Sequence, residues 1–265
     1  MTYNKLNMNK YISFYYLLNI LILFIVTSAN ARTETVDTIK ISDDLVLLKI
    51  SNNTYIHISY LISERMGRIP CNGLIYITED NAYIMDTPIS DEVTLELITW
   101  LKDEMKVTVA GVIVNHWHVD CMGGLNQVHN SGIKSYAHEL TCEIAASKNL
   151  PVPEHSFKDS LVIKSGEKEI ICKYFGGGHT KDNIVVWIPE EKILFGGCMV
   201  KSISSVSLGN TRDADVESWP VTIERVLNRF GNARIVVPGH GSHGGTELLA
   251  NTLRLLKDNS TQTLE

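Results

Sequence analysis

The sequence is poor in cysteine, in basic charge and in linker-like composition. Five cysteines in 265 residues cannot staple a disulfide scaffold. Lys and Arg total 24 against 30 Asp and Glu, for a formal net charge of −6, the opposite of the basic excess that a nucleic-acid partner selects. No Pro/Gly/Ser-rich linker and no repeat divides the chain, so one domain is expected. Serine hydrolase signals are missing too. Gly-x-Ser-x-Gly does not occur, and Ser131–Lys134 and Ser165–Lys168 are Ser-x-x-Lys matches without Ser-Asp-Asn or Lys-Thr-Gly. With 44% hydrophobic and 20% charged residues, what remains is a mildly acidic globular protein.

The one long apolar run is N-terminal. Residues 1–10 carry Lys5 and Lys10 with no acid, residues 11–26 are apolar but for Ser13 and Asn19, and Ala29-Asn30-Ala31 has the small-x-small form of a cleavage site. The run is shorter than the ~20 residues of a spanning helix. Residues 1–31 therefore read as a secretory signal peptide and residues 32–265 as the mature domain. The expected location is the periplasm, with no membrane attachment after cleavage. Folding in an oxidising compartment makes an odd number of cysteines notable, since at least one of Cys71, Cys121, Cys142, Cys172 and Cys198 must stay unpaired or bind metal.

β-rich runs at 45–50, 54–61, 74–78 and 82–86 precede a helix from Ser90 with Val93, Leu97, Leu101 and Met105 four apart. A buried strand at 107–114, a helix near 140–148 and strands at 160–164, 169–175, 184–188 and 193–195 follow. A one-sided helix through Trp219, Ile223, Val226 and Phe230, closed by Gly231, leads to a strand at 234–237 and a last helix with Leu249, Leu253 and Leu256. Strands interleaved with one-sided helices give an α/β sandwich with outer helices, its topology open.

Chemistry collects at strand ends. The strand at 107–114 runs into Asn115-His116-Trp117-His118-Val119-Asp120, where an irregular loop lets His116, His118 and Asp120 converge. Three further strands end in Gly176-Gly177-Gly178-His179, Gly196-Gly197-Cys198 and Pro238-Gly239-His240. Glycine permits the close backbone approach that converging strand ends need. Imidazole, carboxylate and thiolate are zinc-type ligands, and these six suffice for two ions with a position left for water. His57, His129, His138 and His155 stand outside any cluster. His243 is the one rival ligand, and Pro238-Gly239 favours His240.

On these motifs, together with Lys201 and Leu208-Gly209-Asn210, the chain resembles the metallo-β-lactamases, in the di-zinc subclass whose second position uses a cysteine. The resemblance runs from about Leu45 to the last helix. It implies a four-layer αβ/βα sandwich with the site at one edge, and two zinc ions per chain. His116, His118 and His179 would hold the first ion and Asp120, Cys198 and His240 the second. It also implies hydrolysis of the β-lactam amide of penicillins, cephalosporins and carbapenems by metal-activated water, without an acyl-enzyme, conferring antibiotic resistance. Asp120 and Asn210 would serve catalysis, and Lys201 and Asn210 would bind substrate. On residues alone Lys201 is an ordinary solvated lysine. The segment 59–70 would be a flap over the site, or else a plain hairpin; Trp117 lines the pocket or packs in the core. A monomer acting on small molecules is expected.

Two readings compete. A thioester or ester hydrolase of glyoxalase II type on the same scaffold would carry His after the Asp and Asp in place of Cys198, and Cys121 and Cys198 oppose both. A zinc-binding protein without catalysis would close its coordination. Cys121 also departs from the many relatives with Arg there, which alters the surroundings of the second ion.

Overall fold

The computed structural model describes residues 37–262, so the expected leader at 1–31 lies outside the described residues. In the first sheet β1 (Thr38–Lys40), β2 (Val46–Lys49), β3 (Thr54–Ser63), β4 (Gly67–Thr78) and β5 (Asn81–Met85) pair antiparallel in that order. It then turns parallel through β6 (Thr108–Ile113), β7 (Lys134–His138) and β8 (His155–Phe157). The second sheet runs β9 (Ser160–Ser165), β10 (Lys168–Tyr174), β11 (Ile184–Ile188), β12 (Ile193–Gly197) and β13 (Ile235–Pro238), with only the β12–β13 pair parallel.

Parallel neighbours need long crossovers, and the helices occupy them. α1 (Asp91–Asp103) joins β5 to β6. α2 (Val119–Met122) and α3 (Leu125–Asn130) join β6 to β7, α4 (Glu139–Ser147) joins β7 to β8, and α5 (Trp219–Phe230) joins β12 to β13. α6 (Glu247–Gln262) follows. Ser90 caps α1 by accepting from Val93 N–H, and Asp91 and Glu92 complement the positive end of its dipole. α5 ends at Gly231 as expected, although φ −62° there is ordinary helical backbone rather than the left-handed form.

Period-two alternation sorts side chains into layers. From β5, Ala82 and Ile84 face Leu97 and Leu101 of α1, while Tyr83 and Met85 face the other sheet. From β11, Ile184 and Val186 join that inter-sheet core, and Val185 and Trp187 meet Trp219, Ile223 and Phe230 of α5. The result is the four-layer αβ/βα sandwich. β1, β7 and β8 were not expected: each is short and polar, and pairing with a neighbouring strand, not composition, makes it a strand. The segment 59–70 is mostly hairpin, since the β3–β4 register continues to Ser63 opposite Gly67. Residues 64–66 form the turn, closed by Gly67 at φ +70°, and Ile62 and Met66 stand exposed.

Candidate metal centre

The four strand ends meet. β6 delivers His116; His118 then begins α2, which carries Asp120 in its first turn, so the expected loop is in part a short helix. The β10–β11 connection delivers His179, β12 delivers Cys198 and β13 delivers His240. Buried Asp86, at φ +62° after β5, accepts from Asn115 N–H at 2.6 Å and pins the backbone just before His116. Desolvation raises the Asp86 carboxyl well above the ordinary range. Asp182 accepts from Trp117 N–H (3.0 Å) and Thr141 Oγ1 (2.8 Å), tying the His179 connection to the His116–His118 turn.

His116 Nε2 stands 3.0 Å from His118 Nδ1, and His179 Nε2 stands 3.3 Å from that same Nδ1, with all three rings steeply inclined to one another. The opposite nitrogens explain why this arrangement suits a cation. His116 Nδ1 donates to Asn115 Oδ1 (3.2 Å) and His118 Nε2 to Asp213 Oδ2 (3.1 Å). Those bonds turn lone pairs inward at both rings, where they repel unless a positive ion lies between them. Nitrogens each 2.0–2.1 Å from a tetrahedral zinc stand roughly 3.3 Å apart. The residues therefore fit the metal.

The second group centres on Asp120. Its Oδ2 is 3.1 Å from His240 Nε2 and 3.3 Å from Cys198 Sγ, and its Oδ1 is 4.0 Å from His116 Nε2. His240 Nδ1 donates to Pro70 O at 2.8 Å. Burial opposes the charged form of Asp120, but the hydrogen bond with His240 and the neighbouring imidazoles outweigh it and hold the carboxyl below its ordinary range. A hydrogen bond from Cys121, with His240 nearby, pulls the Cys198 thiol well down despite burial. Burial pushes Cys121 itself up, and its sulfur lies 3.1 Å from His116 Nδ1. All five cysteines are free thiols.

His118, Asp120, His179 and His240 line an open cavity of about 980 Å³, with His116 and Cys198 buried behind them. Lys201 and Asn210 both line it, as do Leu61, Met66, Trp117 and Leu150. Burial lowers the Lys201 ammonium, opposed by Cys198 and Asp120, and its Nζ lies 5.3 Å from the Trp219 ring centre. Asn210 Oδ1 accepts from Arg212 N–H, which leaves its amide NH₂ for a ligand. Trp117 both lines the cavity and packs against the α1 side of the core. His57, His129, His138, His155 and His243 lie outside the groups of possible metal donors among the described residues.

Sequence and fold both have relatives among known proteins. Residues 66–240 match the family model for the metallo-beta-lactamase superfamily. The chain belongs to the metallo-β-lactamase superfamily. It is 46% identical over 219 residues to a metallo-beta-lactamase type 2 of Bacteroides fragilis, covering 83% of this chain and 88% of that one. A metallo-beta-lactamase type 2 of Bacillus cereus is 38% identical, covering 88% of this chain and 93% of its own. Among solved structures, a metallo-beta-lactamase from Pontibacter korlensis superposes with TM-score 0.78 at 40% identity, over 81% of this chain and 99% of that one. Within this metallo-β-lactamase, sequence reasoning missed Asp213, Asp86 and Asp182, which act on the histidine turn, and Cys71, whose sulfur joins Asp120 and His240. Their spacing along the chain carries no signal; only the fold brings them in.

Proposed function

We propose that the mature chain is a periplasmic, monomeric zinc hydrolase of β-lactam antibiotics, carbapenems included, released after a signal peptide is removed at Ala31. Inward lone pairs on His116 and His118, with the His179 ring nitrogen 3.3 Å from the latter and the Asp120 group beside them, are the observation that carries this reading. His116, His118 and His179 would hold one zinc, and Asp120, Cys198 and His240 a second. No helix among the described residues is long and apolar enough to cross a membrane.

Bound zinc supplies Lewis acidity and water acidified to a pKa of about 7. The chain's own groups do the rest. The Lys201 ammonium, in a partly desolvated place on the cavity wall, attracts the carboxylate next to the lactam nitrogen. The Asn210 amide donates to the lactam carbonyl oxygen as charge develops there. Asp120, kept ionised, accepts a hydrogen bond from the attacking water and fixes its approach. Leu61, Met66 and Trp117 offer apolar surface to the antibiotic's substituents and exclude bulk water. No side-chain nucleophile is needed, so no acyl-enzyme forms.

The test combines metal analysis with hydrolysis of a penicillin, a carbapenem and a thioester, with and without chelator. Two zincs per chain and chelator-sensitive lactam opening are expected. Full activity after complete demetallation, or a preference for the thioester, would overturn the reading.

A further inference from the structure

The second metal group contains a donor that no motif announces. Cys71, on β4 and 1% exposed, places its sulfur within 4.8 Å of both a carboxylate oxygen of Asp120 and a ring nitrogen of His240. The adjacent Pro70 carbonyl takes the His240 Nδ1 proton at 2.8 Å, so Nε2 is the nitrogen that meets Asp120, at 3.1 Å. One dipeptide of β4 thus orients the imidazole and presents a thiol beside it. Cys198 Sγ reaches the same Asp120 oxygen at 3.3 Å, and Asp120 Oδ2 has sulfur and nitrogen donors around it. The Cys71 thiol's other contact, 3.6 Å to Ile69 O, is a weak S–H···O bond that ligation replaces.

We propose that Cys71 is a second thiolate ligand of the Asp120–Cys198–His240 position, which then holds zinc or another thiophilic divalent cation through four side chains. This rests on the two-zinc reading above and adds to it. Ligation replaces the Cys71 S–H bond by a sulfur–metal bond and releases one proton to solvent; no oxidant is involved. Zinc accepts thiolate, imidazole and carboxylate together in tetrahedral sites, and four protein donors close such a site. Two thiolates and a carboxylate bring three negative charges to a dication, which blunts its Lewis acidity. The three-histidine position keeps the open coordination place, and the second metal serves to hold Asp120 and the strand ends in register.

X-ray absorption at the zinc edge of the zinc-loaded mature protein counts the sulfurs. Two cysteine sulfurs per pair of zincs are expected in the parent protein and one in Cys71→Ser. Competition with a chelator should release the second zinc at least tenfold more readily from Cys71→Ser, with the first unchanged. Cys142→Ser, which alters a half-buried thiol on α4, should match the parent in both measurements. An unchanged sulfur count in Cys71→Ser, an equal fall in Cys142→Ser, or a Cys71–Cys198 disulfide in the zinc-loaded parent would overturn the proposal. Failure of the two-zinc reading looks different: the parent itself would take up one zinc or none.

Discussion

His57 illustrates how a single side chain can set the conditions under which this site exists. Its ring is fully buried, and Nε2 donates to the Asp86 carbonyl at 2.9 Å, which braces the residue that pins Asn115. Burial pushes its pKa down to about 4 from an ordinary 6.5. Between those values the unfolded chain binds a proton that the fold refuses. Stability from the neutral ring is complete above about pH 6.5, declines as pH falls to about 4 and declines no further below that. The full difference is about 3 kcal/mol. In urea unfolding, the parent protein should lose more stability between pH 7.5 and 5 than His57→Gln, which keeps a donor and does not titrate. Parallel losses in the two proteins would contradict this. At this scale the sequence was legible where chemistry is local. His116, His118, His179, Cys198 and His240 each follow a strand and, in three cases, a glycine, and they could be picked out from those neighbours. Asp213 and Cys71 could not: each meets its partner across tens of residues, and nothing beside it in the chain hints at the contact.

At the scale of elements, the β3–β4 hairpin does more than line the cavity with Leu61, Met66 and Ile69. Its base passes under the His240 loop, where Asn72 donates from its backbone to Gly239 O and from its side chain to Pro238 O and Gly241 O. Next to it, Gly73 leaves room for the His57 ring, and an added methyl would overlap that ring and come within 2.6 Å of Met85 O. Gly73→Ala should therefore cost about 1–3 kcal/mol or more through overpacking, read as a lower denaturation midpoint. A midpoint within error of the parent would show that the strands relax more freely than this packing allows. The hairpin's length was illegible because Arg65, Arg68 and Glu64 break the apolar alternation, and backbone pairing extends past it. β7 and β8 escaped for the same reason. The helices, by contrast, were legible from spacing and caps, since α1 and α5 each bury one face against a sheet.

For the molecule as a whole, the four layers supply the site by bringing both sheets to a common edge. His116, His118 and Asp120 come from the first sheet's β6 end, and His179, Cys198 and His240 from three strand ends of the second. Composition and periodicity indicated outer helices around strands, but the eight-plus-five division and the crossing at β12–β13 depend on contacts no local pattern encodes. The central claim is that six side chains from these separated strand ends enclose two zinc ions. Anomalous scattering from crystals of the zinc-loaded protein, recorded on both sides of the zinc edge, tests it directly. The account predicts two peaks, one among His116, His118 and His179 and the other among Asp120, Cys198 and His240. A single peak outside both groups, or none in protein that metal analysis shows to hold zinc, would contradict it.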